Sequence, residues 1–130
     1  MNEPQSALAS LLPILRRGVP LAEVKSTAAQ AAGSAEMTEA LLGMLVEPSA
    51  WSKIQLQKAA WVLNHAFQCD ERGFLSRREQ LARALDATED TSALRELLKV
   101  LAHPVWIDVE TEGQRCDMLE LATGLLFVTD

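Results

Sequence analysis

The sequence predicts an all-α fold built of stacked antiparallel helical hairpins, and three observations lead there. Hydrophobic residues make up 48% of the 130 residues and aromatics only 5%, with no tyrosine. Ala and Leu supply most of the apolar mass, a mix that favours helices, because strands draw on β-branched and aromatic side chains. The segment Ile54 to Phe67 then shows helical periodicity twice. Leu56, Ala59, Ala60, Leu63 and Phe67 form one stripe, and Ile54, Lys58, Trp61 and His65 form a second, nearly opposite. A helix with apolar groups on two sides is wedged between neighbours, which puts this one at the centre of a layered body. The third observation is an internal repeat of hairpin length. The length suits a single domain, residues 1–130, able to bury a core without staples.

Taken in order, Gln5 to Arg17 carries Leu8, Leu11, Leu12 and Leu15 at helical spacing, with Pro13 making that helix either short or kinked. Pro20 suits the first position of a second helix, which is marked by the stripe Leu21, Val24, Ala28, Ala31 and Ala32, whose alanines permit close approach of a neighbour, and which Gly33 stops. Ser34 is placed to cap a third helix over 34–47, with Met37, Leu41, Met44 and Leu45 buried. Pro48 ends it, and Ser49 is read as the cap of the central helix, 50–68. A helix over 74–86 buries Phe74, Leu81 and Leu85, with Arg78 on the same face and leaning outward. Thr91 is read as the cap of a helix over 91–103 with Leu94, Leu97, Leu98 and Leu101 inside. The last helix, 109–127, starts between Asp108 and Glu112, where Thr111 and Gln114 have the spacing of a capping box and Asp108 competes for the role. It carries two apolar stripes, Cys116, Leu119 and Leu126 on one and Met118, Leu121 and Leu125 on the other.

Glu39-x-Leu41-x-x-x-Leu45 recurs as Glu79-x-Leu81-x-x-x-Leu85, Val62-Leu63 as Val100-Leu101 and His65 as His103. Asp117-x-Leu119 is spaced to begin a third unit. Two helices per repeat at this spacing is the period of HEAT and armadillo solenoids, in which each hairpin buries its face by stacking on the next. The stretches Lys58-Ala59-Ala60-Trp61-Val62-Leu63-Asn64-His65 and Leu94-Arg95-Glu96-Leu97-Leu98-Lys99-Val100-Leu101 resemble a group of small, functionally uncharacterised bacterial proteins with HEAT or armadillo-like folds. The resemblance covers roughly Leu21 to Val128, and Lys99 departs from the Arg of the pattern. It implies a short solenoid and brings no catalytic residue with it.

A formal net charge of -6 opposes non-specific nucleic-acid binding. The amino terminus lacks a basic start and apolar run, and no apolar run is long enough to span a bilayer, so a cytoplasmic chain is expected. Cys69 and Cys116 read as reduced, semi-buried thiols. His65 and Cys69, four apart, could share a metal only with help from His103 or Cys116, and no motif supplies it. No phosphate loop, Cys-x-x-Cys or activated nucleophile is present, so no cofactor or catalytic residue is assigned, and carboxylates such as Glu110 and Glu112 read as solvated helix starts. Superposing the repeats instead aligns Lys58, Trp61, His65, Arg95, Lys99 and His103 along the inner helices, a ladder suited to an acidic peptide or partner chain. Trp61 is open to two readings, anchor of that face or core residue. The function expected is a non-catalytic protein-interaction module; the alternative is a helical-repeat enzyme, nucleobase glycosylase-like or lyase-like, using the same groove. The Met118, Leu121 and Leu125 face needs a cover, either a second copy in a homodimer or the amino-terminal helix folded back.

Overall fold

Helix ends follow local chemistry. The computed structural model describes residues 3–126, with side chains for 6–124 except Asp108. Helix α1, Glu3–Leu11, stops just before Pro13, which falls in a single 3-10 turn, Leu12–Ile14. The ambiguity between a short and a kinked helix thus resolves as short, because the proline has no N–H to give. Gly18 takes a positive φ of 78° in the turn that follows. Helix α2, Leu21–Ala32, has Pro20 at its N-cap rather than at its first position, and ends at Gly33 as expected. Helix α3, Ala35–Val46, is capped by Ser34, whose Oγ accepts from the Met37 N–H at 3.2 Å.

The central helix, α4, spans Lys53–Cys69 and corrects the expected cap. Pro48–Ala50 forms a 3-10 turn and Trp51 is extended, so Ser49 lies outside; Ser52 and Gln55 make a complete capping box, at 3.1 and 3.0 Å. Helix α5, Arg78–Ala87, starts later than expected because Arg72–Arg77 is a 3-10 turn. In α6, Thr91–Leu101, the cap is Asp90 rather than Thr91, its carboxylate accepting from the Ala93 N–H at 3.0 Å. Helix α7, Glu112–Leu126, opens on the Thr111/Gln114 box, with both of its hydrogen bonds formed. Phe127 lies outside the described residues.

The helices sort into two rows. In one, α2 packs on α4 and α4 on α6; in the other, α1 packs on α3 and α3 on α5. Contacts of α2 with α3, α3 with α4 and α5 with α6 join the rows, so successive helices alternate between them. The described residues contain no strand, and none of their helices is long and apolar enough to cross a membrane. Helix α4 meets α2, α3 and α6 and buries Ala59, Ala60, Val62, Leu63, Ala66 and Phe67, as its double stripe required. Residues matched by the repeat share their burial: Leu41 with Leu81, Leu45 with Leu85, and Val62-Leu63 with Val100-Leu101.

The carboxyl end departs from expectation. Helix α7 packs on α6 and turns Met118 and Ala122 inward, leaving Leu119 43% exposed, whereas its repeat counterparts Leu41 and Leu81 are wholly buried. Asp117 therefore does not begin a third copy of α3 and α5. Met118 is covered by its own chain and Leu121 is exposed, so these two do not form one uncovered face; the Leu125 side chain lies outside those described. The amino-terminal helix does not fold back here either, since α1 is used in covering α3.

Segment 104–111 closes the end of α6. Trp106 is wholly buried, stacked on Phe67 with ring centroids 5.9 Å apart, and its Nε1–H donates to the Val100 carbonyl at 2.8 Å. Arg115 donates to the carbonyls of Leu101 and Ala102, which end α6 and have no intrahelical partner, and to that of His103, which also accepts from the Trp106 N–H at 3.3 Å. Glu110, expected in solvent, has a wholly buried side chain between Arg78 at 2.7 Å and Arg115 at 3.3 Å. Arg78 accordingly points inward. Both cysteines are free, and both are exposed rather than semi-buried.

Candidate functional site

Helix α4 lies between α2 and α6 in its row, so its outward stripe is flanked on both sides and every member is half-buried: Ile54, Lys58, Trp61 and His65. Successive members are three or four residues apart and therefore touch. Lys58 Nζ sits 4.9 Å from the Trp61 ring centroid, a cation–π distance, and the Trp61 and His65 rings are 6.1 Å apart, tilted by 57°. Trp61 packs on the edge of the core while keeping part of its ring in solvent, so the structure gives it a share in each of its two readings.

The neighbouring helices bring charge to this column. Burial lowers the His65 pKa from the ordinary 6.5, and the ammonium groups of Lys25 on α2 and Lys99 on α6 act in the same sense, opposed by the Glu96 carboxylate. Glu96 is tied down by Lys99 Nζ at 2.8 Å and Asn64 Nδ2 at 3.2 Å. The result is a neutral imidazole beside an indole, with cations on either side. An incoming carboxylate would meet the ammonium groups of Lys25 and Lys58, and that of Lys99 in competition with Glu96, beside an imidazole that its burial keeps from taking up a proton.

No family model, curated protein or solved structure matches the chain.

Of the six residues singled out in the sequence, the structure joins Lys58, Trp61 and His65 in one column and sets Lys99 on its flank. Arg95, one turn before Lys99, is half-buried and already engaged within the chain. His103 stands apart from the column. Its Nδ1 accepts from the Val105 N–H at 3.0 Å, its Nε2 lies 2.8 Å from a Glu71 carboxylate oxygen, and its ring meets Phe67 edge-on at 5.3 Å. It caps the turn that follows α6. Lys25 was missed, although a signal existed: Val24, Val62 and Val100 are evenly spaced and all wholly buried, which extends the repeat back to α2 and sets Lys25 beside its first copy. Among the described residues no three His, Cys, Asp or Glu side chains converge as metal ligands.

Proposed function

We propose that this chain is a non-catalytic protein-interaction module of HEAT/armadillo-like type, whose α2–α4–α6 face takes an acidic segment of a partner protein. The observation that carries the reading is the Lys58–Trp61–His65 column, flanked by Lys25 of α2 and by the Lys99–Glu96 pair of α6, in a chain of formal net charge -6. Alternation of successive helices between two rows supports the solenoid reading, since stacked hairpins produce that pattern. Aromatic anchors ringed by cations give an interface both packing energy and orientation. No cofactor is needed for such a role. A homodimer through α7 would use Leu119 and Leu121, which are exposed, rather than Met118.

The test is fluorescence anisotropy with a fluorescein-labelled Glu-rich peptide carrying one central Leu, against the same peptide with Gln for Glu. The Glu peptide should bind the wild type and weaken at least about tenfold in a Lys58→Glu, Lys99→Glu double variant, a loss of about 1.4 kcal/mol. Binding should fall with added salt, as exposed charges are screened over about 8 Å at 0.15 M. Equal binding of both peptides, or an unaffected double variant, would refute the proposal.

A further inference from the structure

On the other row, α3 carries a glycine in its interior, Gly43, where alanine is the more favourable residue. Nothing among the described residues calls for it. Its φ is not positive, and a Cβ built on it would meet no atom within 4 Å. The missing side chain opens instead onto a groove of about 410 Å³ lined by Leu8 of α1, Ala40, Gly43, Met44, Trp51 and the two carboxylates Glu39 and Glu47, its only charged lining among the described residues.

We infer that this groove docks a basic amphipathic helix of a partner protein. Ala40, Gly43, Met44 and Glu47 stand at i, i+3, i+4 and i+7, the four-cornered hole into which a facing helix inserts one apolar knob. A glycine at one corner deepens the hole and lets the two backbones approach towards the near end of the roughly 8–10 Å range for packed helices. Charge completes the match. Glu36 and Glu39 on α3 and Glu47 at its C-cap are all exposed. Glu39 is engaged by Arg77 and by Gln80 at 3.1 Å, whereas Glu47 has no side-chain partner among the described residues. Glu47 lies about 6 Å along the helix from Gly43, at 1.5 Å per residue. The fitting segment therefore carries a Leu-sized side chain over Gly43 and a Lys or Arg one turn away. This face belongs to the α1–α3–α5 row, so the inference does not rest on the Trp61 surface.

The probe is a fluorescein-labelled, Ala-rich helical peptide with one Leu stripe flanked by Lys, compared with its Glu-for-Lys counterpart. Wild-type protein should bind the Lys peptide and not the Glu peptide. Gly43→Ala should raise Tm by about 2–5 °C, since the helix gains a better residue, yet weaken the peptide at least about tenfold; Gly43→Leu should abolish binding, and Glu47→Lys should weaken it. Opposite signs for stability and binding are what a purely structural glycine would not give. The inference is overturned by a Gly43→Ala variant that loses stability, by Gly43→Leu binding as wild type does, or by equal binding of both peptides. Wild-type self-association lost in Gly43→Leu would assign the groove to a second copy and overturn it equally.

Discussion

Replacing Glu110 by Gln tests how α7 is held to the body. The Glu110 carboxylate is wholly buried between Arg78 and Arg115, whose side chains are only 19% and 14% exposed. Removing one partner of a buried ionic cluster costs about 3–5 kcal/mol, because the remaining charges keep their desolvation and lose their compensation. Gln keeps the volume and one acceptor oxygen, and the guanidiniums reach some solvent, so the low end, about 3 kcal/mol, is expected. That is a large share of the roughly 5–15 kcal/mol by which a domain is stable. At about 3–5 °C per kcal/mol for a chain of this size, the melting temperature should fall by about 9–15 °C. Urea unfolding followed by far-UV circular dichroism measures it. Glu112→Gln is the control, since Glu112 is exposed in the first turn of the same helix and should change stability by no more than about 0.5 kcal/mol. Arg115→Met should cost at least as much as Arg78→Met, because it also leaves the carbonyls of Leu101 and Ala102 without their donor. Should Glu110→Gln and Glu112→Gln unfold at the same urea concentration, the cluster does not hold the helix.

Three further outcomes are open to measurement. Burial, seconded by Lys25 and Lys99, holds the folded His65 pKa below 6.5, so its contribution is complete above that pH and is lost as pH falls through the folded value. Wild type should therefore lose more stability than His65→Gln between neutral pH and pH 5, and an NMR titration of the imidazole with a midpoint above 6.5 would contradict this. Ser52→Ala should cost about 1 kcal/mol, as loss of a cap does, while Ser49→Ala should cost almost nothing; the reverse order would restore Ser49 as the cap. Cys69 and Cys116 are both exposed and free, so native protein should titrate two thiols with Ellman's reagent as fast as the urea-unfolded chain does, and a slow or missing equivalent would show burial.

Where the determinant was local, the sequence was enough. The double stripe of α4, the Ser34 cap and the Thr111/Gln114 box depend on residues within one or two turns, and each is realised. Ser49 failed for a reason nearly as local: two serines precede α4, and the one with Gln three residues later makes the box. Trp106 and Glu110 were not legible. Their segment has no periodicity, and each is buried because it meets the end of α6 or a side chain of α5, groups supplied by the tertiary fold. The third repeat failed because Asp117-x-Leu119 matches spacing without burial: α7 approaches α6, whose surface accepts Met118 and Ala122 instead. In the candidate site, residues on one helix were predictable as a group, while Lys25 and His103 depended on which helix lay alongside and on where α6 ended.

The two proposed surfaces follow from one arrangement. Two rows of helices have two outward faces, and carboxylates near the α2–α4–α6 face are already used within the fold: Glu96 by Lys99 and Asn64, Asp90 as a cap that also receives Gln57 and lies 3.6 Å from Lys53. Lys25 and Lys58 are left to set the sign there. On α3 the exposed carboxylates are Glu36, Glu39 and, at its C-cap, Glu47, and only Glu39 is met by an arginine side chain among the described residues. Packed helices stand about 8–10 Å apart, and exposed charges are screened over about 8 Å at physiological ionic strength, so each face answers to its own charges rather than to the formal total of -6. Independence follows and can be measured. Gly43→Leu should leave the affinity for the Glu-rich peptide unchanged, and Lys99→Glu should leave the affinity for the Lys-flanked helix unchanged, each within about 0.5 kcal/mol, the additivity expected of sites more than about 10 Å apart with no shared partners. Loss of both affinities in either variant would mean that the rows do not insulate the faces.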